Sequence, residues 1–139
     1  ALGLHQLARL DAMQAKRRRV VEIYDNAFAG ETAVELTARR PEVDHAYHLY
    51  PIRLRSGAFS IDRDRFIAEL ADRNIGTSVH FIPIHFHPYY QQKYGWREGL
   101  FPVAEDAFSR VVSLPMHGGL AAQDQEDVIA AMRSALVTA

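Results

Sequence analysis

Residues 61–83 read IDRDRFIAELADRNIGTSVHFIP, and inside that stretch the apolar periodicity changes once. After Asp62, a good N-cap, Phe66, Ile67 and Leu70 recur at helical spacing, and Ile61 is placed to staple onto Phe66. Asn74 ends this helix. Residues 75–82 then alternate as a strand, with Val79 and Phe81 on one face and Ser78, His80 and Ile82 on the other, until Pro83 stops it.

Working outward, the rest of the chain supplies more of both kinds of element. Upstream, residues 46–54 (Ala-Tyr-His-Leu-Tyr-Pro-Ile-Arg-Leu) are rich in β-formers, and Pro51 confines them to an edge, a bulge or a broken ladder. Val34 and Leu36 alternate with polar neighbours in a short strand over 32–36. Before Gly30, Leu4, Leu7, Leu10, Val20, Val21, Tyr24 and Phe28 mark an amphipathic helix over about 1–29. No N-cap precedes it, which predicts a chain that starts inside a longer helix. Downstream, residues 84–96 are aromatic and irregular, with room for one short helix. Pro102 opens a helix to about Arg110, residues 112–114 form a very short strand ended by Pro115, and Gly118-Gly119 turns the chain into a last helix faced by Val128, Ile129, Met132 and Leu136. This order predicts an α+β domain in which a small, mostly antiparallel sheet is covered by helices on one side.

Composition narrows the function classes. The 139 residues are 48% apolar and 24% charged, with 16 basic against 17 acidic side chains and no cysteine. A chain of this length builds its own core without disulfide staples, and a net charge of -1 leaves no electrostatic footprint for a nucleic-acid backbone. No run of 18 apolar residues marks a membrane span, and no secretory leader pattern occurs, so the expected location is the cytoplasm.

The residues able to carry chemistry concentrate at 80–90, HFIPIHFHPYY, where three imidazoles and four aromatic rings leave a strand end. His80, His85 and His87 supply enough nitrogens for a zinc ion, but they lie on no helical i, i+4 face and have no carboxylate nearby in sequence. The plainer alternative is a turn filled by packed rings with wet polar tips. No serine has a nucleophile-elbow setting and no phosphate-binding glycine loop is present. The run Lys16-Arg17-Arg18-Arg19 reads as the solvated face of its helix, and Lys93 has a polar context that gives no reason for the lowered pKa of a Schiff-base lysine. The residues thus outline a binding surface without a catalytic engine.

The stretch Ile75-Gly76-Thr77-Ser78-Val79-His80-Phe81-Ile82-Pro83-Ile84-His85, followed by Pro88-Tyr89-Tyr90, resembles the small-domain signature of the DegT/DnrJ/StrS family of sugar aminotransferases. Further matches surround it in order. Ala1-Leu2-Gly3-Leu4 with Leu10-Asp11 and Tyr24 resembles the family's long interdomain helix, and Tyr47-His48-Leu49-Tyr50 with Ile52-Arg53 its central strand. Phe101-Pro102-Val103-Ala104-Glu105 and Ser113-Leu114-Pro115 resemble its last helix and strand.

The resemblance implies that residues 1–139 are one C-terminal small domain of a fold-type I enzyme, entered within the interdomain helix at about 1–29. The large domain that holds pyridoxal phosphate would lie upstream of Ala1. The implied parent is a homodimer that moves an amino group, from glutamate, onto a keto group of a nucleotide-linked sugar. The isolated chain, lacking the catalytic lysine, is expected to be inactive and to bind no cofactor or metal. His80, Phe81, His85 and Tyr89 fall where the family contacts the sugar nucleotide, with Phe81 in place of the commoner tyrosine. Ala121 stands where a threonine cap is frequent, at a cost of about 0.5–2 kcal/mol to the last helix. The competing expectation is a stand-alone α+β module that binds a small ligand or regulates without catalysis.

Overall fold

A computed structural model of the chain describes residues 2–58 and 61–137; Ala1, the first residue of the N-terminal motif, lies outside them. The long first helix is broken into α1 (Leu2–Leu7) and α2 (Leu10–Phe28). Arg9 N donates to Gln6 O, a tighter bond than the helical one, and α1 buries no side chain that would hold it in line with α2. Val20, Val21, Tyr24 and Phe28 of α2 are buried, while Leu4 and Leu7 are exposed.

Strands β1 (Val34–Leu36), β2 (Tyr50–Leu54) and β3 (Val111–Leu114) form an antiparallel sheet in the order β1-β2-β3. Pro51 therefore sits in the central strand, and the ladder accommodates it. The β1 pairing ends at Leu36 opposite Ile52, one residue short of Pro51, so no partner on that side asks for the missing N–H. Thr37 Oγ1 instead donates to Pro51 O at 2.9 Å. On the other side Pro51 faces Ser113.

Helix α3 (Arg63–Asp72) carries both ends that its sequence announces. Asp62 accepts from Arg65 N at 2.8 Å. At the other end Asn74 takes a left-handed φ of 62°, its N–H reaches Ala71 O, and Ile75 N reaches Leu70 O. That pair of bonds is a Schellman stop, and the buried Ile75 joins the same core cluster as Leu70.

The strand expected over 75–82 is not formed. One bridge remains, Ser78 to Ser113, with Ser78 N donating to Ser113 O and Ser113 N to Ser78 O. The reason is at β3. Extending the ladder one way would need an N–H from Pro115, which has none, and the other way one from Val111, whose N–H already caps a helix at Ala107 O. Val79 and Phe81 accordingly face solvent rather than the core; Phe81 is 97% exposed. The segment 84–96 contains a 3₁₀ turn at Ile84–Phe86 and α4 (Pro88–Tyr94), and α5 (Pro102–Arg110) runs straight into β3.

The last helix, α6 (Ala122–Val137), lacks a capping hydroxyl at Ala121 but is not bare there. Asp124 accepts from Ala121 N at 2.8 Å, the carboxylate half of a capping box. The core gathers Tyr24 and Phe28, Ile52 and Leu54, Phe66 and Leu70, Val112 and Leu114, and Met132. Tyr24 donates to Pro115 O, and burial, reinforced by Asp124, pushes its hydroxyl up to about 12. Tyr50 donates to Asp25 Oδ1 at 2.8 Å, and burial followed by that hydrogen bond pushes its hydroxyl still further up.

Candidate functional site

Leaving the Schellman stop, the chain crosses the end of β3 on the way to Pro83. Ser113 alternates with the core residues Val112 and Leu114, so its hydroxyl points to the opposite face of the sheet. His80 lies there, half-buried, with Nε2 at 2.5 Å from Ser113 Oγ. This contact orients the imidazole at the strand end. Phe81, next in sequence, projects into solvent.

Beyond Pro83 the four expected site residues part company. His85 is buried, only 3% exposed, with Nε2 at 2.8 Å from Glu105 Oε1. Its ring packs against Phe86 and Phe101, at 4.3 and 5.0 Å between centroids. It stands behind the surface, not on it, because the 3₁₀ turn folds it under the loop. Tyr89 is exposed on α4, its hydroxyl accepting from Lys93 Nζ at 2.8 Å. The structure thus leaves Phe81 and Tyr89 exposed, His80 half-buried against Ser113, and His85 buried against Glu105.

Glu105, the carboxylate that meets His85, was not singled out by sequence reading. Burial would raise its carboxyl, but hydrogen bonds from Gly99 N, Phe101 N and His85 more than offset this and hold it below the usual carboxylate range. One signal was available. An acidic residue in the first turn of a helix, following an N-cap such as Phe101 that offers no acceptor, is placed to reach back for free N–H groups.

Other candidates resolve into structural roles. His80, His85 and His87 do not converge, and among the described residues no group of three or more His, Asp or Glu is placed to hold a metal ion. Arg17 donates to Tyr47 O and Arg18 pairs with Asp44, so the basic run of α2 ties down the loop before β2. Gly118 packs on the same helix; a Cβ there would lie 3.2 Å from Lys16 Cβ. Lys16 and Lys93, the two lysines of the chain, are both exposed, and Lys93 Nζ lies against the rings of Tyr89 and Tyr94. Neither sits in the enclosed pocket that a Schiff-base lysine requires, so the residues present do not fit a pyridoxal phosphate site of their own.

Compared with known proteins, residues 1–133 match the model of the DegT/DnrJ/EryC1/StrS aminotransferase family. The chain belongs to that family. It is 42% identical over 134 residues to the spore coat polysaccharide biosynthesis protein SpsC of Bacillus subtilis, a match covering 96% of this chain and 34% of SpsC. Its fold superposes on the sugar aminotransferase CalS13 of Micromonospora echinospora with a TM-score of 0.80 at 29% identity, covering 95% of this chain and 33% of CalS13. PseC of Helicobacter pylori, an aminotransferase involved in the biosynthesis of pseudoaminic acid, gives 0.87 at 25% identity, covering 99% of this chain and 36% of PseC. The chain spans about a third of the length of the family relatives it matches.

Proposed function

We propose that residues 1–139 are the C-terminal small domain of a pyridoxal-phosphate-dependent enzyme that transfers an amino group from glutamate to a nucleotide-linked keto sugar. The family match over residues 1–133 carries this reading. In such an enzyme the cofactor supplies the electron sink, and a large domain upstream supplies its lysine and phosphate cup. This chain then supplies part of the substrate wall. His80, oriented by Ser113, offers an imidazole to sugar hydroxyls or to the diphosphate; Phe81 and Tyr89 offer apolar and aromatic surface, and the buried His85 joins the loop to Glu105.

The exposed Leu4 and Leu7 of α1 fit a helix that packs on the rest of a larger protein, and the parent is proposed to act as a cytoplasmic homodimer. Among the described residues no helix is long and apolar enough to cross a membrane. The test is to incubate the full-length protein with glutamate and a panel of nucleotide-linked keto sugars. Formation of an amino sugar nucleotide with matching 2-oxoglutarate is expected. Absence of both across the panel contradicts the reading.

A further inference from the structure

Between Ile75 and Val112, His85 is the one buried residue. Helix α4 buries no side chain, and Ile84, Tyr89, Tyr94 and Leu100 are all exposed. No fully buried apolar side chain therefore anchors this segment; Phe86, Tyr90 and Trp96 are partly buried, and Phe86 meets Phe108 of α5 at 6.5 Å between centroids. What does connect it is one carboxylate and a file of rings.

Glu105 Oε1 accepts from Gly99 N at 2.9 Å, from Phe101 N at 3.2 Å and from His85 Nε2 at 2.8 Å. Gly99 turns its N–H inward through a left-handed φ of 84°, a conformation that side chains disfavour. From His85 the contacts run through Phe101 to Trp96 at 5.9 Å, from Trp96 to Tyr90 at 5.6 Å and nearly parallel, and from Tyr90 to Tyr89 at 5.2 Å. The carboxylate thus grips residue 85 at one end of the segment and residues 99 and 101 at the other. The exposed Tyr89 is the far end of the file.

We propose that Glu105 is a positioning residue for substrate recognition, clasping both ends of residues 85–101 so that the aromatic face bearing Tyr89 is set before a ligand arrives. The recognition part rests on the function proposed above; the clasp rests on the geometry alone. A preset face lowers the ordering cost of binding and leaves the chemical step untouched.

Trp96 is the one tryptophan of the chain and lies inside the clasped segment, so its fluorescence reports the clasp directly. In the 139-residue chain, Glu105→Ala is expected to raise the acrylamide quenching constant of Trp96 by about three-fold, and the isosteric Glu105→Gln by less, as local opening exposes the ring. The urea midpoint followed by far-UV circular dichroism should stay near wild type for Glu105→Gln, because the core lies elsewhere. Unchanged quenching in both variants overturns the clasp, as does a rise that appears only where the helices unfold. In the full-length protein the same substitutions are expected to raise KM for the nucleotide sugar by about ten-fold while kcat and KM for glutamate stay within about two-fold. Equal losses toward both substrates overturn the positioning role. A wild-type protein inactive on every nucleotide keto sugar removes the substrate, and with it the recognition part, whereas the quenching result still decides the clasp.

Discussion

The helix-covered face of the sheet and the aromatic segment after it are held by opposite means. In the first, Tyr24, Phe28, Ile52, Phe66, Leu70, Val112 and Met132 are removed from water, and polar groups serve mainly to finish helix ends. In the second, rings stack in partial contact with solvent around a single buried imidazole and its carboxylate. Burial is additive and tolerant, so the core can lose one contact and keep its architecture. A segment whose two ends meet at one carboxylate, with partly exposed rings between them, is adjustable without loss of the fold.

The comparison can be broken most severely from the core side. Phe66→Ala removes a fully buried ring and is expected to cost about 3–5 kcal/mol of global stability, read as a lower urea midpoint by circular dichroism. The Trp96 signal should then be lost together with the helices. A local change of Trp96 alone would mean that the two regions are more separable than the packing indicates.

At the next level, pH separates them from both ends of the scale. Glu105 has its folded pKa below the ordinary glutamate value of 4.5, so its contribution is complete above that value and is lost as pH falls through the lowered one. Trp96 emission is expected to shift on acidification before the far-UV signal does. Tyr24 behaves inversely. Its hydroxyl is raised from 10.0 to about 12, so its contribution is complete below pH 10 and is lost as pH rises toward 12, and alkaline unfolding should strike the core. Coincident transitions of both signals at both extremes would contradict the division.

Smaller effects sharpen it. Asp62→Ala removes the cap of α3 and is expected to cost about 0.5–2 kcal/mol, measurable as a lower melting temperature with no change in Trp96 quenching. Arg18→Ala breaks an exposed ion pair with Asp44 and should cost about 0–1 kcal/mol, with the loop before β2 becoming more sensitive to protease.

The same division explains what could be read from the sequence. Helix α3 was legible at both ends because Asp62, Ile61 and Asn74 act on their immediate neighbours. Helix α5 and strands β1 and β3 were legible for similar reasons of local pattern, whereas β2 is shorter than the expected 46–54 and takes Pro51 into the centre of the sheet because β1 ends before it. The fate of the strand expected at 75–82 was not legible, since it depends on Pro115 and Val111, which the fold alone brings opposite it. Without that strand, Val79 and Phe81 share no inward face, and Phe81 projects into solvent. Of the residues that the family resemblance marked, His80 is half-buried and Tyr89 exposed. His85, marked by the same resemblance, is buried against Glu105, a partner 20 residues away that local pattern does not reveal.

His80, held at the end of β3 by Ser113, is proposed to touch substrate while the cofactor chemistry belongs to the upstream domain. That assignment is tested most directly by measuring the two half-reactions of the full-length enzyme separately after His80→Ala. The account predicts sugar-nucleotide binding weakened by about 1–3 kcal/mol, with the glutamate half-reaction and the melting temperature near wild type. Normal sugar-nucleotide binding, or equal loss in both half-reactions accompanied by a lower melting temperature, would contradict it.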